Sequence, residues 1–198
     1  MTCYTENKEY LSSYQDFIQN IQPLIAPVSD QLNRKAAASP WLNELASTEG
    51  YDILIRNLKK EIEIFRDENV PLFTEISTES QKYAQLSGAM TVTIDGRELT
   101  LQQASVFLMS TDRKKREEVY HQITRRRLQD HDALDELFTK LIRLRHQVAL
   151  NAGFKNFRDF MFKALGRFDY TPQDCFNFHE AIQHEVVPLL NEFASARK

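Results

Sequence analysis

Five histidines are the side chains of this sequence best suited to bind a metal ion or to transfer protons near neutral pH. Two of them enclose the segment His179-Glu-Ala-Ile-Gln-His184, which is close to the zinc-binding motif HExxH. In HExxH the histidines stand four residues apart on a helix, so both rings lie over one face and can hold one ion. Here they stand five residues apart, which turns the rings about 140° away from each other.

The other histidines are His121, His131 and His146, and no two histidines in the chain stand four residues apart. We therefore predict that the histidines are surface or helix-contact residues and that this chain holds no metal ion. A metal site assembled from positions far apart in the sequence is an alternative that spacing alone leaves open.

Residues suited to covalent or acid–base catalysis also lack the neighbours they would need. The sequence has no GxSxG nucleophile elbow. Cys175 stands beside Phe176 on an apolar stripe, which is typical of a packed cysteine and not of a nucleophile. Paired carboxylates such as Glu117 and Glu118 lie in charge-rich stretches typical of a surface. The sequence therefore predicts no catalytic, cofactor-binding or metal-binding residue in this chain.

The segment 113–127 is locally basic, with runs of Lys and Arg at 113–116 and 125–127. Binding of nucleic acid requires such charges on one helix face, together with aromatic residues that stack on bases. Here the charges run consecutively around a helix and are interleaved with Glu117 and Glu118. We therefore predict a solvated helix face or pairing with acidic neighbours, and no nucleic acid as a partner.

Composition indicates a soluble and mostly helical protein. Hydrophobic residues make up 42% and charged residues 27% of the chain, and only 5 Gly and 6 Pro are present. The net charge of −3 gives no general attraction to nucleic acid or acidic membranes. Cys3 and Cys175 suit a reducing compartment, and no secretory signal or membrane span is visible. We therefore predict a cytoplasmic protein without a membrane partner.

Apolar residues recur at three- and four-residue steps, which is the pattern of amphipathic helices. This pattern predicts helices over about 8–32, 51–65 and 72–86, and a helical stretch over about 113–152 that breaks near 130–132. Pro23 and Pro27 are expected to bend or divide the first helix, and Gly153 to end the long stretch. A short helix is predicted over 156–165. The last helix begins after Thr171, and Pro188 is expected to kink it.

Residues 90–99 are the one segment with strand-like alternation, and Asp95-Gly96 is a strong signal for a hairpin turn. Thr100 then begins a helix with Gln103 completing a capping box. The predicted fold class is all-α, an elongated multi-helix array with one small β-hairpin near residues 90–99. Because no repeat or flexible linker is visible, we predict one helical region over 1–198 without an internal domain boundary.

A dense aromatic block follows the long helical stretch. We predict a hydrophobic seam where short helices fold back on the long one, and the alternative is a surface that docks further polypeptide. The members of the block are Phe154, Phe157, Phe160, Phe162, Phe168, Tyr170, Phe176 and Phe178.

Several unusual blocks occur in an order that is typical of one enzyme family. They are DGRELTL from residue 95, STDRKKREEVY from 110, NAGFKNFRDFMF from 151, GRFDYTP from 166 and FHEAIQHEVVPLL from 178. With these blocks the chain resembles oligoendopeptidase F, a branch of the thimet-oligopeptidase-like zinc metallopeptidases. The resemblance extends over about the whole chain, is strongest from residue 86 onward and is loose before residue 50. Members are much longer, and the final residues here contain no helix stop signal. The resemblance therefore implies an N-terminal region of such an enzyme.

The resemblance implies a parent enzyme that hydrolyses peptide bonds in short oligopeptides with a zinc-bound water. In the family, zinc is held by the HExxH histidines and a downstream glutamate, and none of these matches a position here. This chain alone is therefore expected to be inactive and to carry no cofactor, with zinc in the parent enzyme. The family's fold encloses a deep channel, of which this region would form one wall. The implied partners are the oligopeptide substrate and the C-terminal catalytic region, and the isolated chain is expected to self-associate.

The competing hypothesis is a free-standing helical scaffold or protein-interaction module without peptidase activity. An HExxH motif encoded downstream of Lys198 in the same gene would favour the peptidase over the scaffold.

Overall fold

The computed structural model describes residues 7–197, and this part of the chain is almost wholly helical apart from one two-stranded sheet. The predicted fold class is therefore confirmed. Cys3 lies outside the described residues, as do the first residues of the segment in which a secretory signal was sought. The helices are α1 Lys8–Asp16, α2 Gln22–Ala37, α3 Leu42–Ala46, α4 Tyr51–Ile64, α5 Asn69–Gly88, α6 Leu101–Ser105, α7 Arg113–Gln129, α8 His131–Asn151, α9 Phe157–Ala164, α10 Pro172–Ala181 and α11 Val187–Ala196. The strands are β1 Thr91–Ile94 and β2 Arg97–Thr100.

The described chain divides into two compact units, each assembled from two separate segments. Unit 1 contains the residues up to 29 together with 66–148, and unit 2 contains 30–65 together with the residues from 149 onward. That residues 1–198 act as one region of a longer enzyme stays a prediction. None of the helices within 7–197 is both long enough and apolar enough to cross a membrane.

Two prolines stand just after π turns. The π turns are Phe17–Ile21 and Ile182–Val186, and the second residue after each is a proline, Pro23 or Pro188. Proline has no N–H to donate, and its ring clashes with the carbonyl four residues earlier in a regular helix. The wider π turn inserts one residue and relieves this clash. The predicted interruptions at these two prolines are therefore local changes of helix winding, and the helix continues to Ala37 instead of ending near residue 32.

The start of α5 differs from the sequence prediction, which placed Pro71 before the helix. The helix begins at Asn69, so Pro71 lies in its first turn, where a missing N–H costs nothing. The side chain of Asn69 is 1% exposed, and its Nδ2 donates to the carbonyl oxygen of Val148 in α8 at 3.0 Å. The beginning of α5 therefore lies beside the end of α8.

The predicted hairpin is present and supports the core of unit 1. Asp95 and Gly96 both adopt positive φ angles, of 51° and 75°, as a two-residue type I′ turn requires. The strands pair from Thr91 with Thr100 to Ile94 with Arg97, and the predicted capping box of Thr100 and Gln103 forms at the start of α6. The buried core cluster at this sheet consists of Ile94, Ala104, Val119 and Ile123.

The aromatic block is buried only in part, and within unit 2 it packs beside α4. Phe160 is buried, with Phe154 edge-on to its ring at 5.7 Å and Phe157 stacked at 5.9 Å. The helix that carries Phe160, α9, is joined to α4 because Lys60 Nζ donates to the carbonyl oxygen of Ala164 at 3.0 Å. In contrast, Phe176 and Phe178 of α10 are exposed. The first members of the block therefore pack beside α4, whereas the sequence predicted the long helix as their partner, and the last members are exposed.

Replacing Asn69 with alanine is expected to destabilise unit 1 by about 2 kcal/mol, because it removes a buried hydrogen bond and leaves a polar group without its partner. Urea denaturation monitored by circular dichroism measures this change. Asn20→Ala is the matched control, since Asn20 is exposed and its side chain hydrogen-bonds, among the described residues, only to Asp16 one turn earlier. Equal stabilities of the two variants would contradict the prediction.

Candidate functional site

The histidine pair that resembles a zinc motif lies on an exposed helical segment. His179 belongs to α10 and His184 to the following π turn, and both side chains are exposed. Within residues 7–197, no three His, Cys, Asp or Glu side chains lie close enough together to hold a metal ion. The described residues therefore do not fit a zinc site. That the chain binds no metal stays a prediction.

His131 is the histidine with the strongest electrostatic environment. Its Nδ1 lies 3.0 Å from Asp132 Oδ1 and its Nε2 lies 3.5 Å from Asp135 Oδ2. The hydrogen bond with Asp132, and then the charge of Asp135, raise the pKa of this exposed imidazole above its ordinary value. The arrangement is typical of a charged surface group.

The basic segment of α7 is paired in part inside unit 1, with two of its seven basic side chains bound to acidic neighbours. Lys115 forms an ion pair with Asp95 of the hairpin turn, and Arg126 Nη1 lies 2.5 Å from Asp130 Oδ2. Arg116 Nη1 donates to the carbonyl oxygen of Ser110 at 2.6 Å.

Cys175 of α10 is a half-buried free cysteine. Neither this cysteine nor the basic segment of α7 assembles a catalytic group.

A buried carboxylate joins α5 to α8 within unit 1. Glu79 is 7% exposed, and its carboxylate accepts hydrogen bonds from Lys82 Nζ at 2.8 Å and from Lys140 Nζ at 2.9 Å. Lys140 also pairs with Glu75 at 2.9 Å, so this one lysine of α8 binds two carboxylates on successive turns of α5. The hydrogen bonds from Lys82 and then Lys140 hold the pKa of Glu79 below its ordinary value. Hydrogen bonds to Glu75 and then Glu79 raise the pKa of Lys140.

An open groove of about 420 Å³ lies next to this ion cluster, between α5 and α8 of unit 1. We call it the α5–α8 groove. Its size falls in the range of about 300–1,000 Å³ that is usual for ligand sites in proteins. Its lining residues are Ser80 and Tyr83 from α5, and Leu134, Asp135, Leu137, Phe138, Leu141 and Arg145 from α8.

The two walls of the α5–α8 groove run in opposite directions. Asn69 near the start of α5 binds Val148 near the end of α8, and Glu79 binds Lys140 further along. A second groove of about 830 Å³ shares Tyr83 and Leu134 with the first. It continues past the hairpin towards α6 and α7, where its lining includes Met90, Leu101 and Arg127. The two grooves therefore adjoin at Tyr83 and Leu134.

The chemistry available in the α5–α8 groove is binding. Its centre is apolar, and the rings of Tyr83 and Phe138 are more than half exposed to it and to solvent. Its lining residues within 7–197 include one guanidinium and one carboxylate, but no histidine and no cysteine. Such a site can hold an extended apolar segment and orient its charged ends, and it holds no group that activates a nucleophile.

The sequence places seven residues of α8 at the three- and four-residue steps of one helical stripe: Leu134, Leu137, Phe138, Leu141, Ile142, Arg145 and Val148. Five of the seven, all except Ile142 and Val148, line the groove. The sequence did not identify them as a site, because the same stripe is typical of a covered core. Whether a neighbouring element covers a stripe is a tertiary property. The available signal was Arg145, a charged residue in the middle of an apolar pattern.

A separate apolar surface lies on the C-terminal helices of unit 2. Every described residue from 183 to 197 is exposed, although α11 is rich in large apolar side chains. We call this region the α10–α11 face. Its apolar members, each at least 40% exposed, are Phe176, Phe178, Val186, Val187, Leu189, Leu190 and Phe193.

Comparison with known proteins agrees with the resemblance read from the sequence. Residues 106–198 match the profile of peptidase family M3, in the half of the chain where the resemblance is strongest. No curated protein matches the sequence. A crystal structure from Bacillus anthracis str. Ames, provisionally described as oligoendopeptidase F, has a TM-score of 0.86 and 22% identity over 94% of this chain and 34% of its own.

Two further structures share the fold. A 3.1 Å X-ray structure, also provisionally described as oligoendopeptidase F, has a TM-score of 0.88 and 23% identity over 98% of this chain and 34% of its own. PZ peptidase A with inhibitor 2 has a TM-score of 0.85 and 23% identity over 94% of this chain and 33% of its own. This chain therefore has the fold of one region of those proteins and spans about a third of their length.

Glu79→Gln is expected to destabilise unit 1 at neutral pH on the order of 1 kcal/mol, a modest value because Lys82 and Lys140 are exposed enough for solvent to screen them. Since folding lowers the pKa of Glu79, its charge stabilises the fold fully above the ordinary pKa, and this contribution is lost as pH falls through the lowered value. The stability difference between wild type and Glu79→Gln should therefore shrink in acid.

Urea denaturation of both proteins between neutral pH and pH values below the ordinary pKa of glutamate measures this difference. Glu136→Gln is the matched control, because Glu136 is exposed on α8 and does not line the α5–α8 groove. A difference that is the same at every pH would exclude the charge of Glu79 as its cause.

Proposed function

We propose, from the match to peptidase family M3 over residues 106–198, that this chain is the non-catalytic N-terminal part of a zinc metalloendopeptidase that cleaves short oligopeptides. Within that enzyme it forms one wall of the substrate channel. The observation that supports the wall function is the α5–α8 groove, a mostly apolar depression between two helices, whose described lining residues include no histidine or cysteine. A groove of this kind favours positioning of a peptide over chemistry on it.

Zinc in this proposal belongs to the part of the enzyme that the present chain does not include. When bound there, the metal would polarise the scissile carbonyl and activate a water. The present chain limits how a peptide approaches that site. Such positioning affects the rate of hydrolysis through the geometry of the bound peptide. A displacement of about 1 Å from the reactive position can lower the rate about a hundredfold.

The α10–α11 face supports a second element of the proposal. Apolar surface of this extent is unusual on a protein that has no partner. We assign the catalytic region of the same polypeptide as the partner that covers it, because the structures that share this fold are about three times as long as the matched part. A cytoplasmic location also belongs to the proposal, and the low cysteine content supports it.

A helical interaction module without peptidase activity is the second candidate. The α10–α11 face favours it equally well, since an exposed apolar helix also suits docking to a separate protein. The two candidates differ in what the gene encodes after residue 198. A downstream HExxH motif supports the peptidase, and its absence supports the module.

A longer product of the same gene is expected to hydrolyse short peptides, to spare folded proteins and to lose activity on chelation of zinc. Phe138→Ala in that protein should change the preferred peptide length with the zinc content unaltered, because it removes a ring from the α5–α8 groove. Cleavage of a ladder of peptides, measured as kcat/KM for each length, tests this. Met109→Ala is the control, since Met109 is highly exposed and does not line the groove.

An inactive longer protein that contains zinc, or full activity after deletion of residues 1–198, would overturn the proposed function. An unchanged length preference in Phe138→Ala would overturn only the assignment of the α5–α8 groove to the channel wall.

The isolated chain is expected to self-associate through the α10–α11 face, because water-exposed apolar side chains are covered when two copies meet. Replacing both Leu190 and Phe193 with glutamate should shift the chain towards monomer. Sedimentation velocity at several concentrations measures the change, and Met109→Glu is a control that alters an exposed apolar residue elsewhere. A wild-type chain that stays monomeric at all concentrations would contradict this prediction.

A further inference from the structure

Arg145 is the unusual residue of the α5–α8 groove. Its side chain is half-buried and lines an otherwise mostly apolar cavity. Within residues 7–197 its guanidinium has no hydrogen bond or ion pair, whereas Lys82 and Lys140 nearby are both paired with Glu79. A guanidinium presents a planar fork of donors that fits a carboxylate with two parallel hydrogen bonds. An unpaired guanidinium at the side of an apolar groove therefore suits the anionic group of a ligand that is otherwise apolar.

The opposite charge lies at the other end of the same groove. Asp135, near the start of α8, also lines the α5–α8 groove. Its only partner among the described residues is the exposed His131, at 3.5 Å. Ten residues of helix separate Asp135 from Arg145, which corresponds to about 15 Å along α8. An extended peptide rises about 3.3 Å per residue, so four or five residues span this distance.

The side chains between these two charges are apolar. Leu134, Phe138 and Leu141 lie along α8, and Tyr83 faces the groove from α5. Aromatic and branched apolar side chains of a ligand can pack there, since each ring offers a large and rigid contact area. The order along the groove is thus carboxylate, apolar centre and guanidinium.

We propose that the α5–α8 groove binds short peptides by their free ends, with Arg145 pairing with the α-carboxylate of the last residue. The apolar centre holds the side chains of the residues before it, and Asp135 faces the amino end. The inference rests on the proposed function, and it adds that this wall selects peptides with a free C-terminus.

A free peptide fits these observations better than nucleic acid or an internal segment of a protein. The chain carries a net charge of −3, and the groove has one cation, where a nucleic-acid strand requires several. An internal segment has no terminal carboxylate within the apolar part of the groove. A peptide of four or five residues places one negative and one positive end at the separation that α8 provides.

The test uses the 198-residue chain and the pentapeptide AGFAL in three forms: with both ends free, with the C-terminus amidated and with the N-terminus acetylated. Isothermal titration calorimetry gives the Kd of each. Amidation is expected to weaken binding at least tenfold, because it removes the charge that Arg145 binds. Acetylation should weaken it by about twofold, since Asp135 is mostly exposed and such pairs contribute little.

Variants separate the role of Arg145 from its effect on folding. Arg145→Gln should weaken binding of the free peptide about as much as amidation does, and it should bind the acid and the amide equally. Arg145→Lys keeps the charge but loses the two-pronged geometry, so it should retain part of the preference for the acid. Arg143→Gln is the matched control, because Arg143 is exposed on the same helix and does not line the groove. Circular dichroism melting checks the fold of each variant.

Equal affinity of wild type for the acid and the amide would overturn the inference, as would the absence of binding at millimolar peptide or an equal effect of Arg143→Gln. These outcomes are separate from those that test the peptidase. A longer protein that cleaves peptides while this chain ignores the carboxylate leaves the proposed function intact. If the 198-residue chain binds the free acid more tightly than the amide, but the longer protein hydrolyses no peptide, the role of the groove is supported and the peptidase activity is rejected.

Discussion

The pairing of Lys140 with two carboxylates of α5 is the interaction on which the candidate site depends. A lysine that binds only one surface glutamate contributes little, because solvent screens the pair and both side chains lose freedom. Here one of the carboxylates, Glu79, is buried and also binds Lys82. Loss of its partners would leave a buried charge unpaired, which costs free energy of folding. Together with the buried hydrogen bond from Asn69 to Val148, this fixes the spacing of α5 and α8. The α5–α8 groove is the space between two helices that are held apart in this way.

Local features of the fold could be predicted from the sequence because their causes lie within a few residues. The Asp95-Gly96 turn depends on two backbone angles, and the caps at Thr100 and Thr171 depend on side chains three residues away. The interruptions at Pro23 and Pro188 were predicted in place but not in kind, and Pro27 lies inside α2 without dividing it. A π turn before Pro23 depends on how the helix on either side packs, and single residues do not encode that.

The candidate site could not be predicted in the same way, since it consists of an uncovered part of a predicted stripe. Arg145 and Phe138 lie on one face of α8 as the spacing required, but the sequence does not state that the partner helix leaves that face open. The aromatic block shows the same limit. Phe160 is buried and Phe178 is 65% exposed, although both belong to the same aromatic block of the sequence. Burial is decided by which elements meet, and periodicity alone specifies only which residues would be buried together.

The histidines show why motif spacing and fold have to be considered together. An interval of five residues excludes a shared face only on a regular α-helix, and the segment between His179 and His184 includes the start of a π turn, which winds differently. The exposure of both side chains and the lack of a third ligand nearby within residues 7–197 are therefore stronger arguments than the angle alone. If the surrounding helix carries no chemistry, its exposed apolar side chains need another reason to exist. In the function proposed above, packing against the catalytic part of a longer enzyme supplies that reason. The α10–α11 face would then contact the rest of the enzyme, and the α5–α8 groove would contact its substrate.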